Sequence, residues 1–280
     1  MRRMLAVREE LECFMAIAAD FDISDPAMPV IAVALHDGHA LRDELVPLFA
    51  ISDADRLREE DPFTGRWTRI CGNRIVVRTS RFEVDLNRPR DEAVYTVAED
   101  AWGLRVWKET PQQAIVDRSL AAYDGFYNTL HGIFSAMRER WGKFFVFDLH
   151  AYNYRRAGPD GPPADPEGNP EVNIGTGMMD RARWAGVVDR FIADLRRADV
   201  LGRRLDVREN VKFYGKNLAQ WTHANFPESG CVLAVEFKKF FMDEWSGQCD
   251  EKQAGAIAAA LKFTIPGILD TLGHNPQSGK

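Results

Sequence analysis

Four short apolar runs constrain this chain most: residues 30–35 (VIAVAL), 74–79 (RIVVRT), 144–149 (FFVFDL) and 232–237 (VLAVEF). Each is rich in β-branched or aromatic residues, and none alternates strictly between apolar and polar positions. A strand with one wet face shows a period of two. These runs do not, so both of their faces must be covered, as in a parallel or mixed sheet. Helical patterns lie between them. Over 112–141, Ile115, Ala122, Phe126, Leu130, Ile133, Phe134, Met137 and Trp141 recur at helical spacing, with Ser119 as one polar interruption. Gly125 and Gly132 weaken the case for one unbroken helix, and Gly142 is a stop signal. A second helix is expected over 180–197, with Trp184, Val188, Phe191, Ile192 and Leu195 inward. A third, Ala-rich, is expected over 251–272 and is disturbed at Pro266. The expected fold class is α/β: three layers, α/β/α, around a central mixed sheet.

Neither an internal repeat nor a linker divides the 280 residues, so one domain over 1–280 is expected. The stretch 155–171 (RRAGPDGPPADPEGNPE) is too rich in Pro and Gly for a helix or a central strand. It is either a plain solvent loop or a loop bordering a site, since it follows His150 closely. Lys and Arg total 36 against 42 Asp and Glu, a net charge of −6. No basic surplus is present to displace phosphate counterions, so nucleic acid is not an expected partner. Cys13, Cys71, Cys231 and Cys249 are scattered without a CxxC pair, which argues for reduced thiols rather than a disulfide scaffold or thiolate zinc site. The N-terminal residues, with Arg2, Arg3, Glu9 and Glu10, lack a signal-peptide pattern. No apolar run approaches the about 20 residues of a bilayer span. A cytoplasmic protein without a membrane partner is expected. Oligomeric state is not legible.

The chemistry gathers where the apolar runs end. The first run leads into His36-Asp37-Gly38-His39, the second into Ser80-Arg81 and Asp85-Leu86-Asn87-Arg88, and the third ends in Asp148-Leu149-His150. The fourth carries Glu236, followed by Lys238 and Lys239. Ligands of open α/β sheets bind outside the carboxyl ends of the strands. His36 and His39 in a His-x-x-His spacing, joined by His150, could form a three-ligand zinc site with an open position for water. Taken alone, the spacing also fits a structural or surface role. Glu236 interrupts an apolar run, and a carboxylate there must be paired or used. It is either salt-bridged to Lys238 or Lys239, or a general base beside a metal. Arg81, Asn87 and Arg88 suit recognition of a carboxylate or carbonyl, or else form a solvated basic edge. Gly175-Thr176-Gly177 lacks the strand context and final glycine of a dinucleotide fingerprint, and neither GxSxG nor GxxxxGK[ST] occurs.

On these same residues the sequence resembles the N-formylglutamate amidohydrolase family. The segments that carry the resemblance are HDGHALRDE (36–44), SRFEVDLNRPRD (80–91), FDLHAYN (147–153), NIGTG (173–177) and VEFKKFFMDEWSG (235–247). The family is similar to zinc carboxypeptidases and aspartoacylases, so the resemblance implies a zinc-carboxypeptidase-like, phosphorylase/hydrolase-like fold. It implies His36 and His150 as zinc ligands, and Arg88 with Asn87 as the binding pair for the substrate α-carboxylate. It further implies Arg81 as the group polarising the scissile carbonyl, and Glu236 as general base and acid. His39 stands where related enzymes have Glu in an HxxE motif. It is kept as the third ligand, with Glu44 as the spare carboxylate. The implied activity is zinc-dependent hydrolysis of an N-formyl or N-acyl amino acid, a small carboxylate-bearing substrate. The alternatives are another N-acyl amino acid or small peptide as substrate, and a carboxylate-binding module without turnover.

Overall fold

The computed structural model describes residues 17–25 and 28–274. Cys13 and the N-terminal residues read above lie outside them. Seven strands follow in chain order: β1 Ala19–Ile23, β2 Val30–Ala34, β3 Asn73–Val77, β4 Phe144–Tyr152, β5 Val172–Gly175, β6 Val207–Glu209 and β7 Gly230–Lys238. The helices are α1 Asp53–Glu59, α2 Thr64–Trp67, α3 Gln113–Trp141, α4 Ala185–Arg197, α5 Asn217–Asn225 and α6 Glu251–Leu272. The strands form one sheet in the order β1-β3-β2-β4-β7-β5-β6. β3, β2, β4 and β7 run parallel to one another. β1 joins antiparallel at one side, and the parallel pair β5 and β6 runs antiparallel to β7 at the other.

The four apolar runs are the four parallel central strands, and helices cover both of their faces. On one face Phe145, Phe147, Leu149, Leu233, Val235 and Phe237 pack with α4 and α6. On the other, Ile31, Val33, Phe144, Val146 and Val232 pack with α3 and α5. All three phenylalanines of β4 are fully buried, each worth roughly 1.5–3 kcal/mol of transfer free energy. A third, smaller core of Leu45, Phe49, Phe82, Tyr95, Val106 and Trp107 lies under the long excursion between β3 and α3 and the turn after β2.

Two of the three expected helices lie where the sequence places them, and the other starts later. α3 runs unbroken through Gly125 and Gly132. Its apolar face supplies the stability that two glycines remove, since tertiary burial outweighs propensity. Ser119 interrupts that face because its hydroxyl accepts a hydrogen bond from Arg42 Nη2 at 2.8 Å. α4 begins at Ala185, and the Asp180 side chain instead accepts from Arg183 N in the preceding turn. α6 continues through Pro266. Pro266 and Lys262, whose carbonyl loses its partner, both lie on the exposed side, where water can replace the missing bond. By length and composition α6 is apolar enough to cross a membrane. Here its inward face, including Ile257, Leu261, Ile265 and Ile268, belongs to the core beside α4. Cys71, Cys231 and Cys249 are free thiols.

Candidate active site

The carboxyl ends of the four parallel strands converge on one cleft with about 560 Å³ of open space. His36 stands two residues beyond β2, while His150 and Glu236 lie in β4 and β7. His150 and Glu236 are paired in register, so their side chains emerge on the same side of the sheet. Arg81 and Asn87 come from the segment after β3 and also line the cleft.

The structure brings His36 and His150 together, with ring centroids 4.9 Å apart. The third member of their group is Asp61. Ligand atoms of His36, Asp61 and His150 all lie within 4.8 Å of one another, and all three residues are buried. Asp61 sits in the turn between α1 and α2, and its amide donates to His36 O at 2.9 Å. Lys239 holds this turn from the end of β7. Its buried ammonium donates to Arg58 O at 2.6 Å and Glu60 O at 2.7 Å. Burial pulls the pKa of Lys239 down to about 8.

Each imidazole is fixed from behind. His36 Nε2 donates to Asp85 Oδ1 at 2.7 Å, and His150 Nε2 donates to Asp148 Oδ1 at 2.8 Å. Both therefore turn Nδ1 toward Asp61: His150 Nδ1 lies 3.0 Å and His36 Nδ1 3.4 Å from Asp61 Oδ2. Carboxylates behind histidines are the arrangement that sets tautomer and basicity in metal centres. His36 Nδ1 is buried and has no hydrogen-bond partner among the described residues. A buried polar atom left in this way is costly unless something else meets it. The orphaned nitrogen, a second imidazole nitrogen and a carboxylate oxygen form a donor set that fits a divalent ion such as zinc.

His39 does not join them. Its Nδ1 is 2.6 Å from Glu60 Oε2 and its Nε2 3.0 Å from Arg56 Nη2, in a half-exposed position. The ring is held there because Glu60, also bound by Ser80 Oγ, lies on the other side of the α1–α2 turn. The structure places Asp61, and not His39, beside His36 and His150. Glu44 is not a substitute, being an exposed partner of Arg118 and Arg42.

Asp85 is the hub behind the site. Fully buried, it accepts from His36 Nε2, Asn87 N at 2.8 Å, Arg81 Nη2 at 2.7 Å and the Tyr95 hydroxyl. Burial opposes its charge, but Arg81 and His36 outweigh that and hold Asp85 well below the usual carboxylate range. The same balance keeps Asp61 low, with the adjoining His150 and His36 rings overcoming burial. His150 is raised despite burial, chiefly by Asp148. Glu236 behaves differently. It makes no hydrogen bond or ion pair among the described residues, and burial raises its pKa from 4.5 to about 7, opposed by His150. Lys238 and Lys239 do not neutralise it: Lys238 lies over the Tyr154 ring and Lys239 donates to backbone carbonyls. An unpaired carboxylate with a pKa near neutrality in a cleft is suited to proton transfer.

Arg81 is buried, stacks 4.9 Å from the Trp102 ring and remains part of the cleft wall. Asn87 is also in the wall, with Nδ2 3.2 Å from His150 Nε2 and Oδ1 accepting from Leu218 N. Arg88 lies outside this wall. It stacks 4.6 Å from the Tyr95 ring and donates to Asp100 O at 2.6 Å. Five lining residues had no part in the sequence reading: Glu59, Asp61, Trp102, Phe213 and Lys216. Arg156 belongs to the Pro/Gly-rich loop and grips Glu59 with both Nη atoms, at 3.1 and 2.9 Å. That loop therefore borders the site at its first residues. A signal for Asp61 did exist, namely Glu59-Glu60-Asp61 before Pro62, an acidic run that burial makes expensive unless it is used.

Residues 28–240 match the family model described as N-formylglutamate amidohydrolase. Two solved structures share the fold. N-formylglutamate amidohydrolase from Ralstonia eutropha JMP134 is 16% identical with a TM-score of 0.69, over 90% of this chain and 96% of that one. The gene product Atu2144 from Agrobacterium tumefaciens is 19% identical with a TM-score of 0.67, over 92% of this chain and 96% of that one. Among curated proteins none matches the sequence significantly.

Proposed function

Since the chain belongs to the N-formylglutamate amidohydrolase family, we propose that it hydrolyses the amide bond of an N-formyl or other N-acyl amino acid with the help of a bound zinc ion. The observation that carries this reading is the buried His36, Asp61 and His150 set with an unpaired Glu236 beside it. His36 Nδ1, His150 Nδ1 and Asp61 would hold the ion. When bound, it would supply Lewis-acid polarisation and make water easier to deprotonate.

The chain's own residues then account for the proton traffic. Glu236, ionised, takes a proton from the attacking water as the new C–O bond forms. It returns that proton to the amide nitrogen as the C–N bond breaks, giving formate, or another acid, and the free amino acid. A pKa near 7 suits a group that must both accept and donate. Arg81 places a fixed positive charge in the wall, where negative charge develops on the carbonyl oxygen. Its salt bridge with Asp85 holds the guanidinium in place before substrate arrives. Trp102 covers the Arg81 face and limits its exchange with water.

The deciding experiment is a panel of N-acyl amino acids and small peptides assayed with chelator and with zinc restored. Hydrolysis that stops with chelator and returns with zinc supports the proposal. Turnover indifferent to chelator rejects metal dependence. Ligand-induced thermal stabilisation without hydrolysis across the panel identifies a binding module instead.

A further inference from the structure

Four basic side chains line the cleft, and three are already engaged. Arg81 is paired with Asp85, Arg156 with Glu59, and Lys239 with two backbone carbonyls. Lys216 is the fourth. Its ammonium has no hydrogen bond, ion pair or ring contact among the described residues, although Asp85, Arg81 and Glu236 are all close enough to influence it electrostatically.

Its place in the cleft is built into the fold. Asn173, which is paired in register with Glu236, accepts at Oδ1 from the amides of Val211, Lys212 and Phe213 and donates from Nδ2 to Phe213 O at 2.7 Å. This ties the segment before Lys216 to the strand beside β7. The next turn needs glycine twice. Gly215 has φ +89°, and a Cβ on Gly175 would fall 2.4 Å from Gly215 N. Lys216 is thus presented to the cleft by a segment that two glycines and one buried amide hold in position.

We propose that Lys216 receives the α-carboxylate of the substrate, a role that family resemblance alone would give to Arg88. The inference rests on the N-acyl amino acid reading above and specifies which cation serves that substrate class. Arg88 lies outside the cleft wall, with Nη2 on Asp100 O and its guanidinium against the Tyr95 ring, whereas the exposed Lys216 reaches the wall with its ammonium unpartnered among the described residues. A charged hydrogen bond to a carboxylate at such a position contributes substantially to affinity and falls away when the substrate is neutral.

Calorimetry on the full-length, zinc-loaded Glu236→Gln protein tests this without turnover. The probes are N-formyl-L-glutamate and N-formyl-L-isoglutamine, which differ only in replacing the α-carboxylate by a carboxamide. Adding Lys216→Ala should weaken binding of the first by roughly 10- to 100-fold and leave the second unchanged. Lys216→Arg should restore most of the loss. Equal binding of both probes to the parent, equal weakening of both by Lys216→Ala, or no weakening at all overturns the proposal, as does failure of the parent to bind either probe. Lys216-dependent binding combined with no hydrolysis by the zinc-loaded wild-type protein would reject the hydrolase reading and leave the anchor standing.

Discussion

Glu236 and Asp61 carry the sharpest expectations at the level of single residues. Glu236→Gln removes the proton acceptor and keeps the shape. Its kcat should fall by about 10²- to 10⁴-fold while zinc content per chain, measured by elemental analysis, stays the same. Full turnover by that variant would refute the base assignment. Asp61→Ala should lose zinc, because it removes the only anionic member of the donor set. His39→Ala should retain zinc, because that ring is occupied with Glu60 and Arg56. The opposite pattern of zinc content would restore His39 as the ligand.

At the level of elements, the exit of β2 depends on one close approach. A Cβ on Gly38 would lie 2.2 Å from the carbonyl carbon of Arg78, backbone that cannot step aside. Ala40 is bridged to Thr79 just beyond, so the chain after β2 is pressed against the chain after β3. Gly38→Ala should therefore destabilise by about 2 kcal/mol or more in chemical denaturation and weaken zinc retention by shifting His36. Unchanged stability would show that the two exits can separate. The central strands were readable because burial on both faces leaves a continuous apolar signature, as in residues 144–149. β5 and β6 were not, since strands of four and three residues carry too little pattern. β1 is half solvated at the edge of the sheet and was hidden for the same reason. The candidate site was legible where a strand delivers its side chains directly to the cleft: His36, His150 and Glu236. Asp61 and Lys216 escaped because each is placed by a turn whose conformation depends on distant partners, Lys239 for one and Asn173 for the other.

For the whole molecule, the consequence is linkage between the site and stability. An ion bound only by the folded chain raises stability by RT ln(1 + [L]/Kd), about 2.7 kcal/mol at one hundred times Kd. Chelation should therefore lower Tm, and zinc should restore it. In the metal-free protein Glu236 adds a pH dependence whose sign is fixed. Its folded pKa of about 7 exceeds the ordinary 4.5, so between those values the folded state binds more protons than the unfolded. Its contribution is most favourable below 4.5 and is lost as pH rises to about 7. Metal-free Glu236→Gln should thus gain on wild type as pH rises across that window, by up to ~3 kcal/mol, less where water reaches the carboxylate. A difference that does not vary with pH would show that Glu236 titrates normally.

The small core of Leu45, Phe49, Phe82, Tyr95, Val106 and Trp107 lies apart from the two that sandwich the sheet. The excursion it supports carries Arg81, Asp85 and Trp102, whereas His150 and Glu236 belong to the sheet itself. The parts of this arm away from Arg81, Asp85 and Tyr95 can therefore vary in length or chemistry while β4 and β7 go on delivering His150 and Glu236 unchanged.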